Sequence, residues 1–198
     1  MGYDRLTRWL HVGLALAIPL QLLSEEFMKR PKLVDGLPRV RTDAEVTFFE
    51  MHEWIGMAAL AIVVLHILWS TTKAGGGLGH LFPYFKTGGC KSIMDELKQV
   101  PGWLSGKLHM DADNSPLAGS VHGLGLVLVL AMAATGGTMF FGMNEVTGQM
   151  SGFVHTMKEV HEALGNLVWL YLIAHVGMAV LHKIKGHDLL SRISPFAK

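Results

Sequence analysis

The chain has 198 residues, half of them apolar, with a mean hydropathy of +0.34 and a formal net charge of +1. That balance is unusual for a soluble domain of this size, and it points to lipid as the solvent for much of the surface. It leaves no charge excess for gripping nucleic acid, and the lone Cys90 excludes an internal disulfide.

Arg5 and Arg8 precede a first apolar run, as in a signal peptide, but Ser24-Glu25-Glu26 follows where a small-residue cleavage site would stand. A retained first span is expected. Four stretches approach the roughly 20 apolar residues that cross a bilayer. Each run is continuous, and lipid offers no partner to an unpaired backbone group, so helices are predicted over about 6–23, 52–70, 116–141 and 160–182. The predicted fold is an all-α membrane protein, a single domain built as a four-transmembrane-helix bundle. Pro19 is expected to kink the first helix, and Pro116 suits the first turn of the third, behind the polar pair Asn114-Ser115.

Residues 25–50 carry mixed charge and little periodicity and read as an exposed loop. The loop over about 71–115 is broken by Gly75-Gly76-Gly77 and Gly88-Gly89, and SIMDELKQV within it places Ile93, Met94, Leu97 and Val100 at helical spacing. A short helix lying on the membrane surface or packed on the bundle is expected there. An even number of spans puts both termini on one side. That side carries eleven Lys and Arg residues, against Lys29, Arg30, Lys32, Arg39, Arg41 and Lys158 on the other. The bias predicts cytoplasmic termini and a cytoplasmic 71–115 loop.

The strongest internal signal is a repeat. EMHEWIGMAALAIVVLH at residues 50–66 is echoed by EVHEALGNLVWLYLIAH at residues 159–175. In each copy two histidines stand fourteen residues apart, His52 with His66 and His161 with His175. Fourteen residues is close to four turns, so both histidines of a pair share a face about 21 Å apart along the axis. Together with His11 and His122, six histidines fall in or at the ends of the spans, where ionisable groups are costly and mark function. Two facing helices that present such pairs can ligate haem iron from both sides. Without a Cys-x-x-Cys-His motif the haem would be held by ligation and packing alone. Gly56 and Gly165 lie one turn beyond the first histidine of each copy, where a porphyrin or a close helix can rest on bare backbone. His155, His182 and His187 flank the last span as interface residues, and His80 and His109 in the loop read as solvated. His155 and Lys158 could meet a donor or haem propionates, or could simply begin a solvated helix. No zinc-protease motif forms at Glu53 or Glu162.

The chain resembles the bacterial cytochrome b561 family and the related b-type cytochrome subunits of nickel-iron hydrogenase and formate dehydrogenase. The resemblance spans all four predicted helices. It rests on Arg8-Trp9-Leu10-His11, on His52 with Gly56, on Thr135-Gly136, on His161 with His175, and on the tail from Lys185-Gly186-His187 to Ser194-Pro195. It implies two haems b, one near each surface, with His52 and His161 ligating the outer iron and His11 and His175 the inner one.

His66 and His122 depart from that ligand set. Superposing the second helix on the fourth maps His66 onto His175, and superposing the first on the third maps His11 onto His122. The chain therefore reads as two pseudo-repeated helical hairpins, and symmetry predicts a third haem on His66 and His122. Direct pairing of His66 with His175 is an alternative, as is a two-haem protein whose extra histidines serve quinone or protons.

The expected function is transmembrane electron transfer between a redox donor and the quinone pool, ubiquinone or menaquinone, or a partner redox protein or dehydrogenase subunit of a respiratory chain. The resemblance also raises a superoxide oxidase that reduces ubiquinone, with Lys29, Arg30, Lys32, Arg39 and Arg41 steering a small anion. A transition-metal binder or transporter using the same histidines is the non-redox alternative, and it would show no haem bands.

Overall fold

The computed structural model describes residues 3–105, 115–187, 191 and 193–196. Four helices are long and apolar enough to cross a membrane: α1 (Arg5–Phe27), α2 (Asp43–Ser70), α4 (Pro116–Gly142) and α5 (Gly152–Ile184). A shorter α3 (Gly89–Leu104) lies between α2 and α4.

Each long helix starts where a side chain satisfies its first amides. Asp4 accepts from the Leu6 and Thr7 amides at 2.9 and 3.0 Å. Thr42 and Glu45 form a reciprocal capping box ahead of α2, Ser115 caps α4 with Pro116 following it, and Ser151 caps α5. These caps lie outside the apolar runs. α2 and α5 therefore begin at Asp43 and Gly152, well before the hydropathy signal near residues 52 and 160. α1 runs on through Pro19. The 25–50 stretch expected to be an irregular loop contains the first turns of α2 and a small hairpin, β1 (Leu33–Val34) and β2 (Leu37–Pro38). Asp35 and Gly36 at its tip both have positive φ, the conformation a two-residue primed turn demands.

Leu16, Leu167, Leu170 and Ile173 are more than half exposed on the helices, which is the pattern of a bundle whose outer face is solvated by lipid. The packed faces are α1 on α2, α2 on α4 and α4 on α5. The contacts thus run round the bundle and stop at a seam where α5 and α1 make little backbone contact. We call the end with β1, β2 and the α4–α5 connection the hairpin end, and the other the terminal end.

At the terminal end, residues 78–85 fold inward through two short 3-10 turns, Leu78–His80 and Pro83–Phe85. They can do so because α4 offers bare backbone. A Cβ on Gly119 or Gly123 would stand 2.1 Å from the carbonyl oxygen of His80 or Leu81. Leu81 reaches the core beside Val63, Leu126 and Val129. Helix α3 packs on α4, and Glu96 accepts from the Ser115 hydroxyl at 2.7 Å and the Leu117 amide at 2.8 Å, while Met94 and Leu97 stay exposed. The helix expected in this segment is therefore packed on the bundle through Glu96 and α4. The termini are fastened too. The Trp69 indole donates to Asp4, Arg8 donates to the Ser194 carbonyl, and Trp9 meets Phe196 edge-on at 5.4 Å.

Candidate functional site

The sequence repeats place histidines at both ends of the bundle, and the folded chain brings them together in pairs. At the hairpin end the His52 and His161 rings stand 6.3 Å apart, centroid to centroid, across the bundle from α2 to α5. At the terminal end His11 and His175 stand the same 6.3 Å apart across the α1–α5 seam. Two metal–imidazole bonds of about 2 Å, with roughly 1.2 Å from each ring nitrogen to its ring centre, require about 6.4 Å between centroids. Both pairs thus fit a single metal between two imidazoles.

The hairpin-end pair opens on a cavity of 370 Å³ lined by all four long helices. Ile18, Leu22, Met57, Val129, Met132 and Val168 give it apolar walls. Gly56, Gly136, Gly137 and Gly165 leave parts of the backbone bare, a cradle suited to a flat macrocycle. Gly136 is held close to the ligand, since a Cβ there would meet Cε1 of His161 at 3.0 Å.

Hydrogen bonds fix which nitrogen each ring presents. Nδ1 of His52 lies 3.2 Å from the Gln21 carbonyl and 3.0 Å from the Ser24 hydroxyl. Nδ1 of His161 lies 3.0 Å from both the Met132 carbonyl and the Thr135 hydroxyl. A carbonyl only accepts, so each Nδ1 carries the proton and each Nε2 keeps its lone pair for a metal.

The mouth of the cavity is charged. Arg30 lines it together with Glu25, Glu26, Glu53 and Glu162, and Arg30 pairs with Glu162, which Lys158 also reaches at 3.0 Å. Sequence reasoning placed Arg30 in a basic loop but missed its position at the cavity, because nothing local links it to Glu162. His155 is exposed and lies 3.6 Å from Glu159, away from any pair.

The terminal end is more crowded. The Tyr171 ring stacks on His175 at 5.5 Å and 13° between planes, and its hydroxyl end fills the space over Gly125. His122, expected opposite His66, has its ring 5.4 Å from His175 and edge-on to it. His66 is buried, and its Nδ1 lies 3.4 Å from the Ser70 hydroxyl. His80, expected to be solvated, is half-buried with Nδ1 turned to the Gly77 carbonyl, because residues 78–85 fold inward. His182 packs on the buried Trp103 at 4.6 Å, with His187 5.5 Å beyond. His109 lies outside the described residues. Among those residues no group of three or more His, Cys, Asp or Glu side chains is arranged around a metal ion. At the hairpin end His52 and His161 meet as a pair, as an iron already held in a macrocycle requires, whereas at the terminal end His175 neighbours both His11 and His122.

Residues 2–195 match the family model for prokaryotic cytochrome b561. The chain belongs to that family. No match was found among curated proteins or solved structures. As a cytochrome b561 it is a helical bacterial membrane protein that binds b-type haem and carries electrons across the bilayer. In this cytochrome b561 the His52–His161 rings at the hairpin end and the His11–His175 rings at the terminal end share one 6.3 Å spacing.

Proposed function

We propose that this cytochrome b561 holds two haems b, ligated by His52 with His161 and by His11 with His175, and passes single electrons between them. The observation that carries this reading is the shared 6.3 Å spacing of two imidazole pairs at opposite ends of one helix, α5. Haem iron supplies the one-electron chemistry, and the chain supplies ligation, an apolar surround and nearby charge. His161 and His175 lie about 21 Å apart along α5 by helix rise, so neither surface pair alone connects the two faces. The Lys and Arg count supports cytoplasmic termini in an inner membrane, which puts the hairpin end outside. A redox donor would meet that end, and quinone, ubiquinone or menaquinone, or a partner redox subunit would meet the terminal end.

Packing bears on the third haem predicted at His66 and His122. The symmetry that exchanges α1 with α4 and α2 with α5 makes the α2–α4 face equivalent to the α5–α1 seam. The α5 and α1 backbones make little contact at the seam, whereas the α2–α4 face packs around Val63 with Leu81 against it. That difference favours two haems. The second reading keeps the buried His66, and His122 beside His175, as ligands of a third. Haem per polypeptide, by pyridine haemochrome against protein mass, distinguishes them. Two supports this reading, three supports the symmetric one, and a colourless protein refutes both.

Superoxide as donor is less well supported. Glu25, Glu26 and Glu53 line the hairpin-end cavity beside an Arg30 whose charge is already met by Glu162, so the basic loop offers a small anion less attraction there than was expected. Haem reduction by superoxide at a near-diffusional rate would restore that reading.

A further inference from the structure

The two hydroxyls beside the hairpin-end imidazoles do the same thing from equivalent places. Ser24 on α1 and Thr135 on α4 are both buried. The shift of 111 residues that carries His11 onto His122 also carries Ser24 onto Thr135, and Gln21 onto Met132. In each helix the carbonyl and the hydroxyl three residues later receive one imidazole Nδ1–H. The hydroxyl protons are already committed. Ser24 donates to the Gln21 carbonyl at 2.8 Å, and Thr135 donates to the Ala131 and Met132 carbonyls at 2.9 Å. With its proton so placed, each hydroxyl presents a lone pair to the ring.

The terminal end lacks this device on one side. Nδ1 of His11 is buried and has no hydrogen-bond partner among the described residues. An imidazole whose N–H is held by an acceptor is a more basic ligand. A more basic ligand favours the ferric over the ferrous iron, and so lowers the potential of the haem it holds.

We infer that Ser24 and Thr135 are a matched pair of positioning residues that lock His52 and His161 as Nδ1–H donors and make the hairpin-end haem the lower-potential one. This rests on the two-haem reading above. It assigns to two hydroxyls a role in setting the order of the potentials, which ligation alone leaves open.

The test is a spectroelectrochemical titration of the whole haem-loaded protein and of the variants Ser24→Ala, Thr135→Val and Thr135→Ser. Haem content is measured first, so that a failure of the two-haem reading shows as a wrong count before any potential is compared. The component that disappears in His161→Ala identifies the hairpin-end haem. In the wild-type protein that component should be the lower of the two. Ser24→Ala and Thr135→Val should each raise it, the double variant should raise it further, and the terminal-end component should stay in place. Thr135→Ser, which keeps the hydroxyl, should restore the wild-type value. If Thr135→Val loses the hairpin-end haem while Thr135→Ser keeps it, the positioning role is supported. Two haems with unmoved potentials in both hydroxyl-free variants would overturn the inference, as would a hairpin-end haem that titrates as the higher-potential component.

Discussion

Gly136→Ala tests how tightly the ligand is held. A Cβ at this position would lie 3.0 Å from Cε1 and 3.4 Å from Nδ1 of His161, whereas non-bonded carbons rest at about 3.5–4.0 Å. The ring must give way by roughly half an ångström. Its Nδ1 bonds to Met132 and Thr135 are both 3.0 Å, and a shift of that size carries them toward the limit at which a hydrogen bond survives. With about 1 kcal/mol at stake in each bond, haem retention at the hairpin end should weaken by about 1–2 kcal/mol, on the order of tenfold. The assay is haem loss from purified protein to an apo-haem acceptor, followed by absorption spectroscopy. The fast-dissociating fraction should be half of the total, since His11 and His175 are untouched. Gly177→Ala, where an added Cβ meets nothing within 4 Å, serves as the control and should behave as wild type. Equal, unchanged loss rates from both haems in Gly136→Ala would refute the reasoning.

Replacing either His52 or His161 by Ala should leave one haem per chain, as should His11→Ala or His175→Ala, and His66→Ala should leave two; pyridine haemochrome of each variant checks all five. Asp4 gives a pH-dependent anchor. Partial burial pushes its carboxyl up, but hydrogen bonds from the Thr7 hydroxyl and amide, the Trp69 indole and the Leu6 amide outweigh this and hold it below the ordinary 3.8. Because the folded value is depressed, the stability it contributes is present above the ordinary value and is lost as pH falls through the folded one. Asp4→Ala should therefore cost about 1 kcal/mol in detergent at pH 7, with the gap to wild type closing in strong acid, as thermal unfolding at both pH values will show. Gly123→Ala should push Leu81 out of the core at a cost of about 1–3 kcal/mol, read as a lower unfolding temperature and faster proteolysis within residues 71–88.

The spans were legible in their continuous apolar runs and the placement of histidines at both ends in the repeated fourteen-residue spacing, whereas which histidines would face each other came from the family resemblance. Fourteen residues between His161 and His175 place one ligand at each end of any straight helix, whatever surrounds it. The helix starts were less visible, since Thr42 and Ser151 act through hydrogen bonds that hydropathy does not weigh. The hairpin in the first loop had a signal in Val34-Asp35-Gly36-Leu37, a turn pair between apolar residues, that mixed charge obscured. Ser24 and Thr135 were present in the same 111-residue shift that relates His11 to His122, but hydroxyls carry no hydropathic mark. Arg30 and Glu162 are far apart in sequence, and only tertiary packing joins them. Symmetry itself predicted equivalence between the α2–α4 and α5–α1 faces, and the inward fold of residues 78–85, which has no counterpart among the described residues after α5, sets the two faces apart.

The sparse backbone contact between α1 and α5 bears on what closes the ring of helices. His52 and His161 stand across a cavity walled by all four long helices, where the chain's own packing already joins neighbour to neighbour. His11 and His175 stand on the two helices that the polypeptide joins least. A macrocycle ligated there would act as a clasp between the first span and the last, so the ring of helices would owe its final link to a cofactor.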